Sequence, residues 1–167
     1  MSRTIRHRSG VREVSILARF LSLDPGGTTG WAIIEFDEDS EIVVKGAGQV
    51  PDGLQGFVKW FSKFNFSDFD FVVCESFTLR TGVKFPDLSP VYIIGALEAY
   101  EYAIDRKPIY QPPTSKPLCT DDTLKKLEIY IPGRGHANDA LRHGIIYLRS
   151  KRHMPTLRRA WPIKEGE

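Results

Sequence analysis

The feature that most constrains the fold is a single stretch, residues 16–24, an apolar run that ends on the carboxylate of Asp24 and meets Pro25, Gly26, Gly27, Thr28, Thr29 and Gly30 at once. Such a run reads as a strand, and Pro-Gly-Gly turns a chain rather than extending it. Residues 31–36 then read as the strand returning antiparallel, residues 37–40 as a second polar turn and residues 41–50 as a third strand. Leu54, Phe57, Val58 and Phe61 recur at the spacing of one helix face, and residues 69–75 resume a short buried strand. A helix between strands implies a crossover, so this fourth strand is expected to be a parallel one. Residues 90–104 are apolar at helical spacing, residues 108–111 suit a fifth short strand, and residues 136–151 form a last long helix punctuated at its start by Gly133 and Gly135. The order is β-β-β-α-β-α-β-α. It predicts an α/β fold with a five-stranded mixed sheet, three antiparallel strands then two parallel ones, flanked by helices.

At 167 residues, 41% hydrophobic and 26% charged, the chain has material for one compact domain, expected over residues 16–150. The longest apolar stretches, residues 91–97 and 69–74, fall far short of the roughly 20 residues a spanning helix needs, so no membrane is expected as a partner. Cys74 lies in a predicted strand and Cys119 in a loop region, which supplies neither a disulfide framework nor a zinc cluster. A reducing, intracellular setting is the simpler expectation.

The net charge of +2 hides an uneven distribution. Arg3, Arg6, Arg8, Arg12 and Arg19 against Glu13 give the first 19 residues +4, and Lys151, Arg152, Arg158, Arg159 and Lys164 against Glu165 and Glu167 give residues 150–167 +3, which leaves the middle at −5. Residues 1–15 are therefore read as a basic N-terminal arm and residues 151–167 as a basic C-terminal tail. Such arms neutralise phosphates and lend salt-dependent affinity for nucleic acid. Solvated tails and, for the N-terminus, an organelle transit peptide are the alternatives.

Four residues concentrate the chemistry. Asp24 and Glu75 each end an apolar strand, which puts a carboxylate at the mouth of a sheet. His136 and Asp139 stand three apart, on one face of the last helix. Carboxylates in such a group suit a hard divalent cation, Mg²⁺ or Mn²⁺, and two ions about 4 Å apart can activate water on one side of a phosphodiester and stabilise the leaving oxygen on the other. Clustered acids also repel, so at least one pKa should be raised before metal binds. Taken singly, Asp24 before Pro-Gly-Gly is also ordinary turn chemistry and His136 also a helix-start residue. Glu75, after Phe71, Val72, Val73 and Cys74, is harder to explain away, since burial without a task costs desolvation. His143 shares the face of His136 one turn beyond Asp139 and reads as a packed or solvent-tipped histidine rather than a ligand.

On these residues the chain resembles the RuvC-type Holliday-junction resolvases of the RNase H-like superfamily, over roughly residues 20–149. Asp24, Pro25, Gly26, Thr29 and Gly30 match the family's Asp-Pro-Gly and Thr-Gly at the end of its first strand, Glu75 its strand-four glutamate, and His136, Ala137, Asn138, Asp139, Ala140 and Leu141 the start of its last helix. Histidine stands at 136 where many members have aspartate, and imidazole favours Mn²⁺ over Mg²⁺. The resemblance implies an RNase H-like fold and a metal-dependent endodeoxyribonuclease that cuts branched DNA, four-way junctions first and forks and flaps as alternatives, leaving a 5′-phosphate and a 3′-hydroxyl. It implies two ions held by Asp24, Glu75, His136 and Asp139, with Asp24 shared between them, and a homodimer, since symmetric nicking takes two active sites. Phe77 is the nearest match to the family's base-stacking aromatic, Lys84 and Phe85 form a second basic-aromatic candidate for DNA contact, and Lys116 matches the basic residues after the fifth strand. The expected location is the cytoplasm of a bacterial or phage-infected cell, with an organelle as the alternative. Actin-like ATPases and sugar kinases share the Asp-x-Gly opening but need two such domains around a nucleotide. A catalytically silent nucleic-acid-binding module of the same fold is the remaining alternative.

Overall fold

A computed structural model describes residues 17–162 apart from 80, 81 and 83, so the expected arm at residues 1–15 lies outside the described residues. Five strands, β1 (Ala18–Asp24), β2 (Thr29–Phe36), β3 (Val43–Val50), β4 (Phe71–Glu75) and β5 (Ile109–Gln111), form one sheet in the order β3-β2-β1-β4-β5. β1 to β3 are antiparallel neighbours, while β4 runs parallel to β1 and β5 parallel to β4, as the sequence pattern predicts. The crossovers carry α1 (Gly53–Phe61) and α2 (Ser89–Tyr102). Beyond β5 come a 3-10 segment at Pro113–Leu118, a short helix α3 (Asp121–Lys126) and the long helix α4 (Gly135–Ser150). Among the described residues no helix is long and apolar enough to cross a membrane.

The pleat sorts the side chains into two cores. Phe20 and Ser22 of β1, Ala32 and Ile34 of β2, and Phe71 and Val73 of β4 face α4, where Leu141, Ile145 and Leu148 close the layer. Leu21, Leu23, Ile33, Val72 and Cys74 face the other way, onto Phe57 and Phe61 of α1 and Ile93 and Leu97 of α2. Asp24 continues the Phe20 and Ser22 set, Glu75 the Phe71 and Val73 set, and Gln111 pairs with Glu75 in register. The parallel arrangement brings the C-terminal ends of β1, β4 and β5 to the same edge, so three polar side chains emerge side by side beneath α4.

Helix α4 is seated by small and polar groups. A Cβ at Gly30 would lie 1.8 Å from the His136 carbonyl oxygen, and one at Gly144 would lie 2.5 Å from Ile34 Cδ1, so only glycine allows so close an approach. The Ser22 hydroxyl donates to the Ala140 carbonyl at 2.7 Å, and the buried Asn138 amide both accepts from the Ile131 N–H at 2.9 Å and donates to its carbonyl at 2.8 Å.

The C-terminal segment differs from the expected tail. Residues 154–160 form a further helix, α5 (Met154–Ala160), with Thr156 and Ala160 buried. Its N-cap, the buried His153, donates from Nε2 to the Asp37 carbonyl at 2.7 Å and accepts from Thr156 at Nδ1. Arg159 bridges Glu41 and Glu128, each at 2.5 Å, so two of the charges counted toward a DNA-binding tail are Arg159 and its neighbour on a docked helix. Net charge along the chain could not reveal this, because the partners lie more than 30 residues away in sequence.

Candidate metal centre

The polar ends of β1 and β4 meet the N-terminal half of α4. His136 Nδ1 lies 3.1 Å from Asp24 Oδ2, and the His136 backbone N–H donates to Gln49 Oε1 of β3 at 3.2 Å, which fixes where the helix begins. Asp139, one turn later, faces the same space. The side chain that ties the group together is Lys116, from the 3-10 segment after β5: its Nζ is 2.8 Å from Asp24 Oδ1, 2.7 Å from Glu75 Oε2 and 3.1 Å from Asp139 Oδ2. Three carboxylates thus converge on one positive charge. The second oxygen of Asp139 accepts from Arg142, which also pairs with Asp121 of α3.

The sequence pattern brought Asp24, Glu75, His136 and Asp139 into consideration, and the fold brings all four to one edge. Lys116, expected as a basic residue for DNA-backbone contact, stands within the acidic group. His143, expected to be packed or solvent-tipped, is wholly buried, and its Nε2 sits 2.9 Å from Glu75 Oε2. Asp24, Glu75 and His143 each offer a ligand atom within 4.8 Å of the other two. Gln111, which went unnoticed, accepts from His143 Nδ1 through Oε1 at 2.9 Å and donates to the His143 carbonyl at 3.1 Å. The i, i+7 spacing of His136 and His143 around Asp139 was the available signal, but its meaning depended on where β5 would place Gln111.

The electrostatics follow from crowding. Burial above all, then the hydrogen bond it shares with Glu75, raises the Asp24 carboxyl to about 6, against the pull of Lys116. Burial pushes Glu75 upward too, but its contacts with His143, Asp24 and Lys116 outweigh that and hold it at about 2. Asp24 is therefore the member of the pair that takes up a proton first. Burial draws the Lys116 ammonium down, and the attraction of Asp24 and Glu75 more than reverses this, so it stays charged.

The donor set fits a divalent metal ion. The carboxylate oxygens already converge on a cation, the Lys116 ammonium, and the remaining donors are imidazoles, which suit first-row divalent ions. Asp24, Glu75 and Asp139, with His136 and His143 beside them, are the residues able to hold one.

Beside the acids opens a cavity of about 400 Å³ lined by Pro25, Glu75, Ser76, Phe77, Pro86 and Pro113 among others. Phe77 is half-buried on its wall, whereas Lys84 and Phe85 stand exposed on the loop that follows, Phe85 at 92% exposure. The fold brings Phe77 to the edge of the site and leaves the Lys84 and Phe85 pair in solvent.

No family model matches the chain, and no curated protein matches it by sequence. Solved structures do match in fold. The Holliday junction resolvase of fowlpox virus superposes with a TM-score of 0.55 at 16% identity, covering 80% of this chain and 99% of that one. The same resolvase in complex with substrate Holliday junction DNA gives 0.55 at 18% identity over 78% and 99%. Thermus thermophilus RuvC, in complex with a Holliday junction substrate, gives 0.58 at 11% identity over 81% and 97%. At these identities the likeness establishes a shared RuvC-like, RNase H-type fold.

Proposed function

We propose that this protein is a metal-dependent endonuclease acting on branched DNA, with four-way junctions as its first substrate. The observation that carries the reading is the convergence of Asp24, Glu75 and Asp139 on one point of positive charge, at the sheet edge of a fold shared with two resolvases solved on Holliday junction DNA. A bound divalent ion supplies Lewis-acid stabilisation of charge on the phosphate and lowers the pKa of bound water. This chain's residues do the rest. Asp24, Glu75 and Asp139, carried by three separate elements, are the residues that would hold the ion. His136, half-exposed at the first turn of α4, completes the outer side of the site. Lys116 keeps its charge and stands where it can offer it to a phosphate oxygen. Phe77 and the adjoining cavity give an unpaired base somewhere to stack, a contact any base can make through its face. Paired nicks on opposed strands require a two-fold dimer, and the exposed Leu88, Val91 and Tyr92 at the start of α2 suit that interface.

Cleavage of end-labelled four-way, three-way, flap and linear DNA by the wild type, Asp139→Asn and Glu75→Gln, with Mg²⁺, with Mn²⁺ and with chelator, tests this. Paired symmetric nicks in the four-way junction are expected, lost with chelator and reduced on the order of 10³-fold in either variant, since each removes a charge that stabilises the transition state by several kcal/mol. Equal cutting of flaps and forks would make the protein a general branched-DNA nuclease. Binding without metal-dependent cutting would make it a silent module.

A further inference from the structure

His143 has a fixed tautomer, and the fixing group can be read from hydrogen-bond chemistry alone. The His143 carbonyl can only accept, so the Gln111 atom 3.1 Å from it must be the amide nitrogen. Gln111 Oε1 then faces the imidazole at 2.9 Å, and an oxygen acceptor requires a proton on Nδ1. One glutamine thus grips both the backbone and the ring of the same residue. Gln111 is itself held, because its carbonyl accepts from the Ser76 N–H at 2.7 Å and the Ser76 hydroxyl at 3.1 Å, next to its strand partner Glu75.

With Nδ1 committed to Gln111, Nε2 is the nitrogen turned toward the acids. It is wholly buried and lies 2.9 Å from Glu75 Oε2, so a positive charge belongs between the two atoms, a shared proton in the metal-free protein or a metal ion in its place. We propose that His143 binds the metal ion through Nε2, sharing it with Asp24 and Glu75, and that Gln111 is the positioning residue that, by engaging Nδ1, aims Nε2 at the ion. The three donor atoms already lie within 4.8 Å of one another, and with metal–ligand bonds of about 2.1 Å donors sharing an ion sit up to about 4 Å apart, so little closure is needed. An imidazole whose other nitrogen donates to a fixed acceptor is the usual arrangement for a metal-binding histidine. The consequence is selectivity: a buried nitrogen among the ligands favours Mn²⁺ and related first-row ions over Mg²⁺. This rests on the metal-dependent reading above but concerns binding without DNA.

The test is pulsed electron paramagnetic resonance of Mn²⁺ bound to the DNA-free protein, which detects directly coordinated nitrogen. In His136→Ala, where the exposed imidazole is gone, a nitrogen coupling is expected to persist. It should vanish in the double variant with His143→Asn, whose shorter amide still donates to Gln111 Oε1 and so preserves the packing while removing the ligand. Calorimetry should show Mn²⁺ affinity falling at least about tenfold in His143→Asn, with a smaller change for Mg²⁺. Gln111→Met should weaken Mn²⁺ binding by about tenfold and, in ¹⁵N-labelled protein without metal, relax the Nδ1–H tautomer. Stoichiometric Mn²⁺ without nitrogen coupling in His136→Ala would overturn the assignment while leaving a metal-dependent nuclease intact, and this outcome does not depend on any change at position 143. Absence of Mn²⁺ binding in the wild type would remove both readings. A nitrogen coupling in a protein that cuts no junction would keep the ligand and remove only the proposed function.

Discussion

The two faces of the sheet bury comparable apolar layers but treat charge in opposite ways. On the α1 and α2 face, aromatic rings fill the space: Phe57 stacks on Phe61 at 5.3 Å, and Trp60 packs against Trp31 and Phe64. Its one buried acid among the described residues, Glu101, is closed off by Arg106 at 2.8 Å. On the α4 face, Ser22, Asp24, Gln111, Asn138 and His143 are all buried, and Asp24, Glu75 and Asp139 share a single lysine. A buried acid with its own arginine is a finished ion pair; Asp24, Glu75 and Asp139 sharing one lysine, with Arg142 divided between Asp139 and Asp121, are short of positive charge. That deficit is what a metal site needs, and the closed pair opposite shows that the chain neutralises buried acids where no such need exists.

Removing acids from the α4 face should change stability in ways that ordinary core substitutions do not. The largest effect is expected at Asp24. Its carboxyl is raised from 3.8 to about 6 in the folded protein, so the native state binds the proton more tightly than the unfolded state, and stability falls as pH rises from about 4 to 6. Asp24→Asn should therefore stabilise the metal-free protein at pH 7.5 by up to about 3 kcal/mol, an advantage that fades by pH 4. Glu75, held at about 2 against an ordinary 4.5, has the opposite sign: it contributes stability above about pH 4.5 that is lost as pH falls toward 2, so Glu75→Gln should destabilise at neutral pH. Urea titrations of both variants across pH 3 to 8 check this, and two variants shifting in the same direction at pH 7.5 would break the contrast.

The next effect distinguishes the two helices. Gly144→Ala would force a Cβ to 2.5 Å from Ile34 Cδ1 and 3.4 Å from the Phe20 ring, both wholly buried, so a loss of about 1–3 kcal/mol is expected. Because α4 also carries His136, Asp139 and His143, Mn²⁺ affinity measured by calorimetry should fall with it. The smallest effect lies at Gly95 of α2, where a Cβ meets no described atom within 4 Å. Gly95→Ala should raise stability by roughly 0.5–1 kcal/mol, because alanine loses less freedom than glycine in a helix, and leave Mn²⁺ binding untouched. Equal responses at the two glycines in thermal denaturation would mean that α4 is not the more tightly seated helix.

Much of this architecture was legible from residue patterns. Strand ends at Asp24 and Glu75 were marked by apolar runs that stop, and the His136 and Asp139 spacing needed only the period of a helix. Those signals are local. The contacts that were not legible share a different cause: Lys116 meets Asp24 across 92 residues, His143 meets Glu75 across 68, and Arg159 meets Glu41 across 118. The tail that became α5 had charges countable in sequence, but its docking depends on the turn after β2 and the end of α3.

The succession of strands and helices, and the change from antiparallel to parallel strands, followed from the chain alone, because periodicity and punctuation are properties of consecutive residues. Which carboxylates are raised and which lowered, which lysine stands among them, and which tautomer His143 adopts were decided only when β4 and β5 paired in register and α4 closed over them. Desolvation and hydrogen-bond direction act over a few ångströms, and no spacing along the chain encodes those distances.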